Sequence, residues 1–129
     1  MKKILVVEDE LAYLKLLNSQ LTERGYEVIE AINGKIGLEK AKSENPDLIL
    51  LDIRMPVMDG MAMLKELRKE EAGKKTKVIM LTNLEPDDKI LAEVVADQPT
   101  YYFVKSNIQF NDLLEKIKEL FEEKEVLPA

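Results

Sequence analysis

Four short apolar runs constrain this chain more than anything else in it: Ile4–Val7, Leu48–Leu51, Val78–Leu81 and Tyr101–Val104. None alternates with polar residues, so each is expected to be a strand buried on both faces. Strands of that kind belong to a parallel sheet with helices on either side, because a sheet open to water on one face shows a period of two. A fifth run, Glu27-Val28-Ile29-Glu30-Ala31, alternates in part and reads as an edge or near-edge strand.

Helical spacing fills the gaps. Leu11, Leu14, Leu17 and Leu21 recur on one face, and Arg24-Gly25 puts a glycine where that helix stops. Asn33-Gly34 opens a short helix carrying Ile36, Leu38 and Ala41, closed by Asn45-Pro46. Asp59 is placed to cap a helix with Met61, Leu64 and Leu67 inward, which stops near Gly73. Pro86 suits the first turn of a helix holding Ile90, Leu91, Val94 and Val95. In the last helix Phe110, Leu113, Leu114, Ile117, Leu120 and Phe121 form one apolar stripe. Five strand–helix units in alternation predict an α/β doubly wound sheet with right-handed crossovers. With 129 residues the chain suffices for one domain, expected over 1–124, with 125–129 as a frayed tail.

Composition removes whole classes of chemistry. There is no histidine and no cysteine. That eliminates Ser-His and Cys-His nucleophiles, a histidine base, an imidazole or thiolate zinc site, a disulfide and an internal phosphohistidine. Any metal must be held by oxygen, which favours a hard ion such as Mg²⁺. The net charge of −6 opposes direct binding to nucleic acid or to an anionic membrane. Met1-Lys2-Lys3 looks like the start of a signal peptide, but the apolar run after it stops at Glu8, so a cytoplasmic protein is expected.

In an open parallel sheet, ligands sit beyond the carboxyl ends of the strands, at the point where strand order reverses. The residues that follow the apolar runs are Glu8, Asp9 and Glu10, then Asp52, then Thr82 and Asn83, then Lys105 and Ser106. Taken one at a time, an acid there is most often a helix cap, a lysine a surface charge and a threonine a turn residue. Their joint placement after four buried strands is what points to chemistry. Grouped carboxylates repel by about 4 kcal/mol at about 4 Å in a dielectric of about 20, and so call for a cation. With Mg²⁺ bound, Asp52 could attack phosphorus as a nucleophile, while Lys105 and the Thr82 hydroxyl hold phosphoryl oxygens.

The segment Leu48–Gly60, LILLDIRMPVMDG, resembles the phosphorylation loop of receiver domains in two-component response regulators. The pattern D-x-x-M-P-x-M-D-G runs from Asp52 to Gly60 without a gap, and KILVVEDE, VIMLTN and YYFVKS extend the resemblance over nearly the whole chain. It implies a flavodoxin-like (βα)5 fold with strand order 2-1-3-4-5, of the single-domain chemotaxis type or excised from a larger regulator. It implies Asp52 as phosphoacceptor and Asp9 as direct Mg²⁺ ligand. Glu8 would reach the metal through water, and the main-chain carbonyl of Arg54 would complete the metal shell. Thr82 matches the switch hydroxyl, Lys105 the phosphate-contacting lysine and Tyr102 the switch aromatic. Tyr102 also reads as a strand aromatic packed on the last helix. Met55, Pro56 and Met58 look structural, shaping the loop and packing beneath it.

The implied partners are a sensor histidine kinase or histidine phosphotransfer protein and a downstream protein or output domain outside this chain. A phosphorylation-dependent homodimer is also allowed. The activity would be limited to the domain's own phosphorylation and slow autodephosphorylation. The first helix and the 106–108 loop are candidate kinase-docking elements. Four positions depart from the family pattern: Ser106 stands where a proline is common, Asn83 where a small residue is usual, and Gln98-Pro99 in place of Gly-Ala. A trans Lys105–Ser106 bond is expected, since a cis bond before serine costs about 2.5–4 kcal/mol. Asn83 and Ser106 motivate a rival reading, a pseudo-receiver that binds partners without phosphorylation. An aspartate-nucleophile phosphatase needs a second aspartate two residues after the nucleophile, where this chain has Arg54.

Overall fold

Alternate residues of the central strands point into two separate cores, and that division sets the architecture. The computed structural model describes residues 1–83, 87–97 and 99–122. In chain order its elements are β1 (Lys3–Val7), α1 (Leu11–Glu23), β2 (Glu27–Ala31), α2 (Gly34–Glu44), β3 (Leu48–Leu51), α3 (Gly60–Lys69), β4 (Lys77–Thr82), α4 (Asp88–Asp97), β5 (Tyr101–Val104) and α5 (Phe110–Glu122). The strands form one parallel sheet in the order β2-β1-β3-β4-β5. The reversal of direction across the sheet therefore falls between β1 and β3.

Ile4, Val6, Leu48, Leu50, Ile79 and Leu81 face one side and pack on Leu14, Leu17 and Leu21 of α1 and on Leu113, Leu114, Ile117 and Leu120 of α5. Leu5, Val7, Ile49, Leu51, Val78 and Met80 face the other, against Ala41 of α2 and Met61, Met63, Leu64 and Leu67 of α3, with Ile90 and Val94 of α4 at its margin. Burying both faces explains why these strands show no polar alternation.

Two expectations need correction. Tyr101–Val104 is not buried on both faces: β5 is an edge strand, none of its residues is fully buried, and Tyr101 is exposed. Leu11 opens α1 but is 61% exposed, because one turn before Leu14 the helix projects past the sheet. The expected partial burial of β2, the other edge, holds.

Helix ends follow local chemistry. Asn33 and Asp59 cap α2 and α3 by accepting the amides of Ile36 and Ala62 at 2.9 and 2.8 Å. Gly25 takes φ +92° just after α1, as its position in the sequence required. The helix α3 ends at Lys69, before Gly73, and a 3-10 turn at Ala72–Lys74 fills the interval. Arg68 braces that turn, donating to the carbonyls of Gly73 and Thr76 at 2.6 and 2.7 Å and to Asp97 of α4 at 3.0 Å. The expectations for Pro86, the side chains of Leu91 and Val95, Gln98 and the 125–129 tail lie outside the described residues.

The β3–α3 connection is drawn tight. The Gly60 amide donates to the Ile53 carbonyl at 2.8 Å, and a Cβ on Gly60 would lie 2.0 Å from the Asp52 carbonyl oxygen. Between them Val57 adopts φ +68° in a turn closed by Met58 N–H donating to the Pro56 carbonyl at 2.7 Å. Met58 in turn accepts the Gly34 amide at 3.0 Å, which ties this loop to α2.

Gly60→Ala should therefore lower stability in urea denaturation by about 1–3 kcal/mol through overpacking. Gly25→Ala, which meets nothing within 4 Å, should show only the left-handed backbone cost of about 1–2 kcal/mol. A second check concerns pH. The Asn18 amide at 2.7 Å outweighs burial at Glu30, and Lys15 at 3.1 Å adds to it, so the carboxyl titrates below its usual range. A depressed folded-state pKa stabilises above the unfolded value and is lost as pH falls through the folded one. Glu30→Gln should cost up to about 1 kcal/mol at neutral pH, and the difference should vanish in strong acid.

Candidate functional site

The sheet itself positions the acids. The Glu8 amide donates to the Ala31 carbonyl at 2.9 Å and the Asp52 amide donates to the Val7 carbonyl at 3.1 Å, so both residues continue the strand ladders one step beyond the strands proper. Glu8 is 2% exposed and Asp52 8%, with Asp9 exposed beside them. One carboxylate oxygen from each of Glu8, Asp9 and Asp52 can be chosen so that all three lie within 4.8 Å of one another. That spacing and all-oxygen chemistry fit a hard divalent cation with room left for water.

The two buried acids are also held locally. Glu8 Oε1 accepts the Glu10 amide at 3.0 Å, and Asp52 Oδ1 accepts the Ile53 amide at 2.7 Å. Their other oxygens, Glu8 Oε2 and Asp52 Oδ2, face Lys105 Nζ at 2.8 and 3.4 Å. Burial pushes the Glu8 carboxyl up; the Lys105 hydrogen bond opposes this without cancelling it, and the Asp52 charge adds to the rise. Burial pulls the Lys105 ammonium down, but the Glu8 hydrogen bond and the two carboxylate charges outweigh it, leaving the net shift upward. The lysine is thus a firmly charged counterion between two acids.

Thr82, 1% exposed, ends β4 beside the cluster. Glu8, Asp9, Glu10, Asp52, Arg54, Thr82, Asn83 and Lys105 together line a cavity of about 220 Å³. Every expected site residue but Tyr102 lines it. Tyr102 pairs with Met80 across β4–β5 and packs, half-buried, in the α2–α3 core. Its alternative reading, as an aromatic packed on the last helix, is incorrect, because α5 covers the opposite face of the sheet. A larger cavity of about 580 Å³ adjoins at Arg54 and runs along α4 past Met55, Asp59, Lys89 and Glu93.

The Lys105–Ser106 bond is trans, as expected, and Lys105 opens a 3-10 turn. Met55 and Met58 pack beneath the loop, whereas Pro56 is exposed and its carbonyl accepts the Met58 amide. One neighbour went unread in the sequence: Tyr13, whose ring lies under the Lys105 ammonium. Its place on the first turn of the helix that directly follows Glu8, Asp9 and Glu10 was the available signal.

The family model described as response regulator receiver domain matches residues 4–118. The chain belongs to that family. Among solved structures, the response regulator TrrA of Thermotoga maritima, in complex with Mg(2+)-BeF, is 42% identical with a TM-score of 0.80, covering 93% of this chain and 99% of that one. A CheY-like receiver domain protein from Methanospirillum hungatei is 33% identical with a TM-score of 0.85, covering 95% of this chain and 94% of that one. The alkaline phosphatase synthesis transcriptional regulatory protein PhoP of Bacillus subtilis is 43% identical over 98 residues, 74% of this chain and 40% of that protein. This receiver domain thus spans about two-fifths of the length of PhoP and of the ycf27 regulators it matches from Pyropia yezoensis and Porphyra purpurea. Receiver domains are signalling modules. Among the described residues no helix is long and apolar enough to cross a membrane.

Lys105→Met should leave Glu8 and Asp52 facing each other without their cation. In metal-free urea denaturation the loss is expected at about 3 kcal/mol, and adding Glu8→Gln should recover part of it.

Proposed function

We propose that this receiver domain accepts a phosphoryl group on Asp52 from a histidine of a sensor kinase or phosphotransfer protein, and that the modified state controls a partner protein or an output domain. The observation that carries this reading is the gathering of the Glu8, Asp9 and Asp52 carboxylates within 4.8 Å, with Lys105 beside two of them. The donor histidine belongs to the partner, since this chain has none.

Asp9 and Asp52 would hold Mg²⁺ directly, with the Arg54 main-chain carbonyl, and Glu8 would reach it through water. When bound, the ion supplies charge neutralisation for the transferring phosphoryl oxygens. In the transfer a new bond forms between an Asp52 carboxylate oxygen and phosphorus. The bond from phosphorus to the partner's imidazole nitrogen breaks, its electron pair staying on that nitrogen. The Asp52 amide, bonded to the Val7 carbonyl of the neighbouring strand, keeps the residue from drifting as charge builds.

Lys105 turns from the carboxylates to a phosphoryl oxygen, and the Thr82 hydroxyl donates to another. Thr82 and Tyr102 lie on paired strands, β4 and β5, the second of them an edge. Drawing Thr82 toward the phosphoryl group shifts the population of the Tyr102 side chain and of the β5 edge. A homodimer formed on phosphorylation is one output this surface could serve. The domain bounds are proposed as 1–124 and the compartment as the cytoplasm.

A phosphorylation-independent binding module is the second reading, favoured by Asn83 at the cavity and Ser106 after the lysine. The complete acid set weighs against it. Incubated with Mg²⁺ and acetyl phosphate, the wild-type chain should gain one phosphoryl mass by intact mass spectrometry. Asp52→Asn should gain none, and omission of Mg²⁺ should suppress the reaction. A wild-type chain that stays unmodified would favour the binding-module reading instead.

A further inference from the structure

Lys105 makes one contact that the proposed chemistry does not account for. Its Nζ lies 4.2 Å from the centroid of the Tyr13 ring. Tyr13 is half-buried on the first turn of α1, and its ring meets Phe110, at the start of α5, edge to face at 6.4 Å and 86°. The ammonium is thus enclosed on three sides, by Glu8 at 2.8 Å, Asp52 at 3.4 Å and the π face, and the lysine side chain is only 9% exposed.

We propose that Tyr13 is a positioning residue for phosphoryl transfer: its ring face holds the Lys105 ammonium in the cleft between Glu8 and Asp52. This rests on the reading of Asp52 as phosphoacceptor. An ammonium has three donors on a flexible four-carbon stem, and the two carboxylates engage two of them. Water on the third side would leave the stem free to swing. Another carboxylate there would hold the ammonium but add an anion to a cluster already crowded with them. An aromatic face attracts the cation through its quadrupole without carrying a formal charge, so it neither repels the acids nor competes with them for a metal.

The attraction is to a face rather than to one acceptor atom. Lys105 can therefore pivot from Glu8 toward a phosphoryl oxygen while remaining against the ring. The Phe110 contact has a part in this, because a tilted Tyr13 would offer the ammonium its positive ring edge. Tyr13 thereby links the lysine to two helices, α1 and α5, that flank the site.

The test compares Tyr13→Phe and Tyr13→Leu in the full chain, with folding checked by circular dichroism. Initial rates of phosphorylation by acetyl phosphate with Mg²⁺ should stay within about two-fold of wild type for Tyr13→Phe and fall about 3- to 30-fold for Tyr13→Leu. A second readout needs no phosphate. Ring current should move the Lys105 ε-methylene protons upfield in wild type and in Tyr13→Phe, and Tyr13→Leu should return them to ordinary lysine values. Tyr13→Leu reacting at the wild-type rate, Tyr13→Phe falling as far as Tyr13→Leu, or an unshifted ε-methylene in wild type would each overturn the proposal. A wild-type chain that takes no phosphoryl group would instead remove the proposed function itself, an outcome distinct from all three.

Discussion

Mutual repulsion between two acids that the backbone does not allow to separate is the constraint on which this molecule turns. Glu8 and Asp52 stand one step beyond paired parallel strands, and each is still hydrogen-bonded into the ladder, to Ala31 and to Val7. A loop acid would relieve repulsion by moving, at almost no cost. Here moving would break sheet hydrogen bonds at the top of strands buried over Ile4–Val7 and Leu48–Leu51. Relief has to come from a cation. In the chain itself that cation is Lys105, delivered by β5 from two strands away. The same rigidity that makes the cluster costly makes it a preorganised oxygen cradle.

The β3–α3 loop carries this constraint into the α2–α3 half of the molecule. Gly60 backs directly onto the Asp52 carbonyl, and Val57 holds a left-handed conformation that a β-branched residue rarely adopts. Met58 completes the path by accepting from Gly34 at the start of α2. Asp52 therefore sits in a framework that resists displacement from below and from the side. Freedom lies at the opposite edge. No residue of β5 is fully buried, and Tyr101 stacks on Phe103 at the surface, with ring centroids 5.4 Å apart. A rigidly held acid cluster beside a strand edge with no fully buried residue suits the proposed function, in which charge is held at one place and reported at another.

Much of this was legible in the residues. The unbroken apolar runs announced parallel strands because burial on two faces leaves no polar position to alternate with, and the observed β3 coincides with Leu48–Leu51. Asn33, Asp59 and Gly25 declared their helix ends because capping is a matter of a few neighbouring atoms. Errors fell where the answer depends on distant neighbours. Leu11 has the spacing of a core residue but lies past the sheet's edge, and Tyr101–Val104 has the composition of a central strand but only one neighbour. Tyr102 could not be assigned a face until the register with β4 placed it on the side away from α5.

What the sequence by itself determined is the kind of chemistry. A chain without histidine or cysteine, with acids after two apolar runs, a hydroxyl after a third and a lysine after a fourth, limits any metal to oxygen ligands and points to the cation and phosphoryl chemistry proposed for it. Only the tertiary structure decided how those residues meet: that Lys105 bridges Glu8 and Asp52, and that Tyr13 lies beneath it. The reason is range. Strand burial, caps and donor types are properties of a few adjacent residues, whereas the contact between positions 13, 52 and 105 exists only once the strand order has brought three distant segments to one rim.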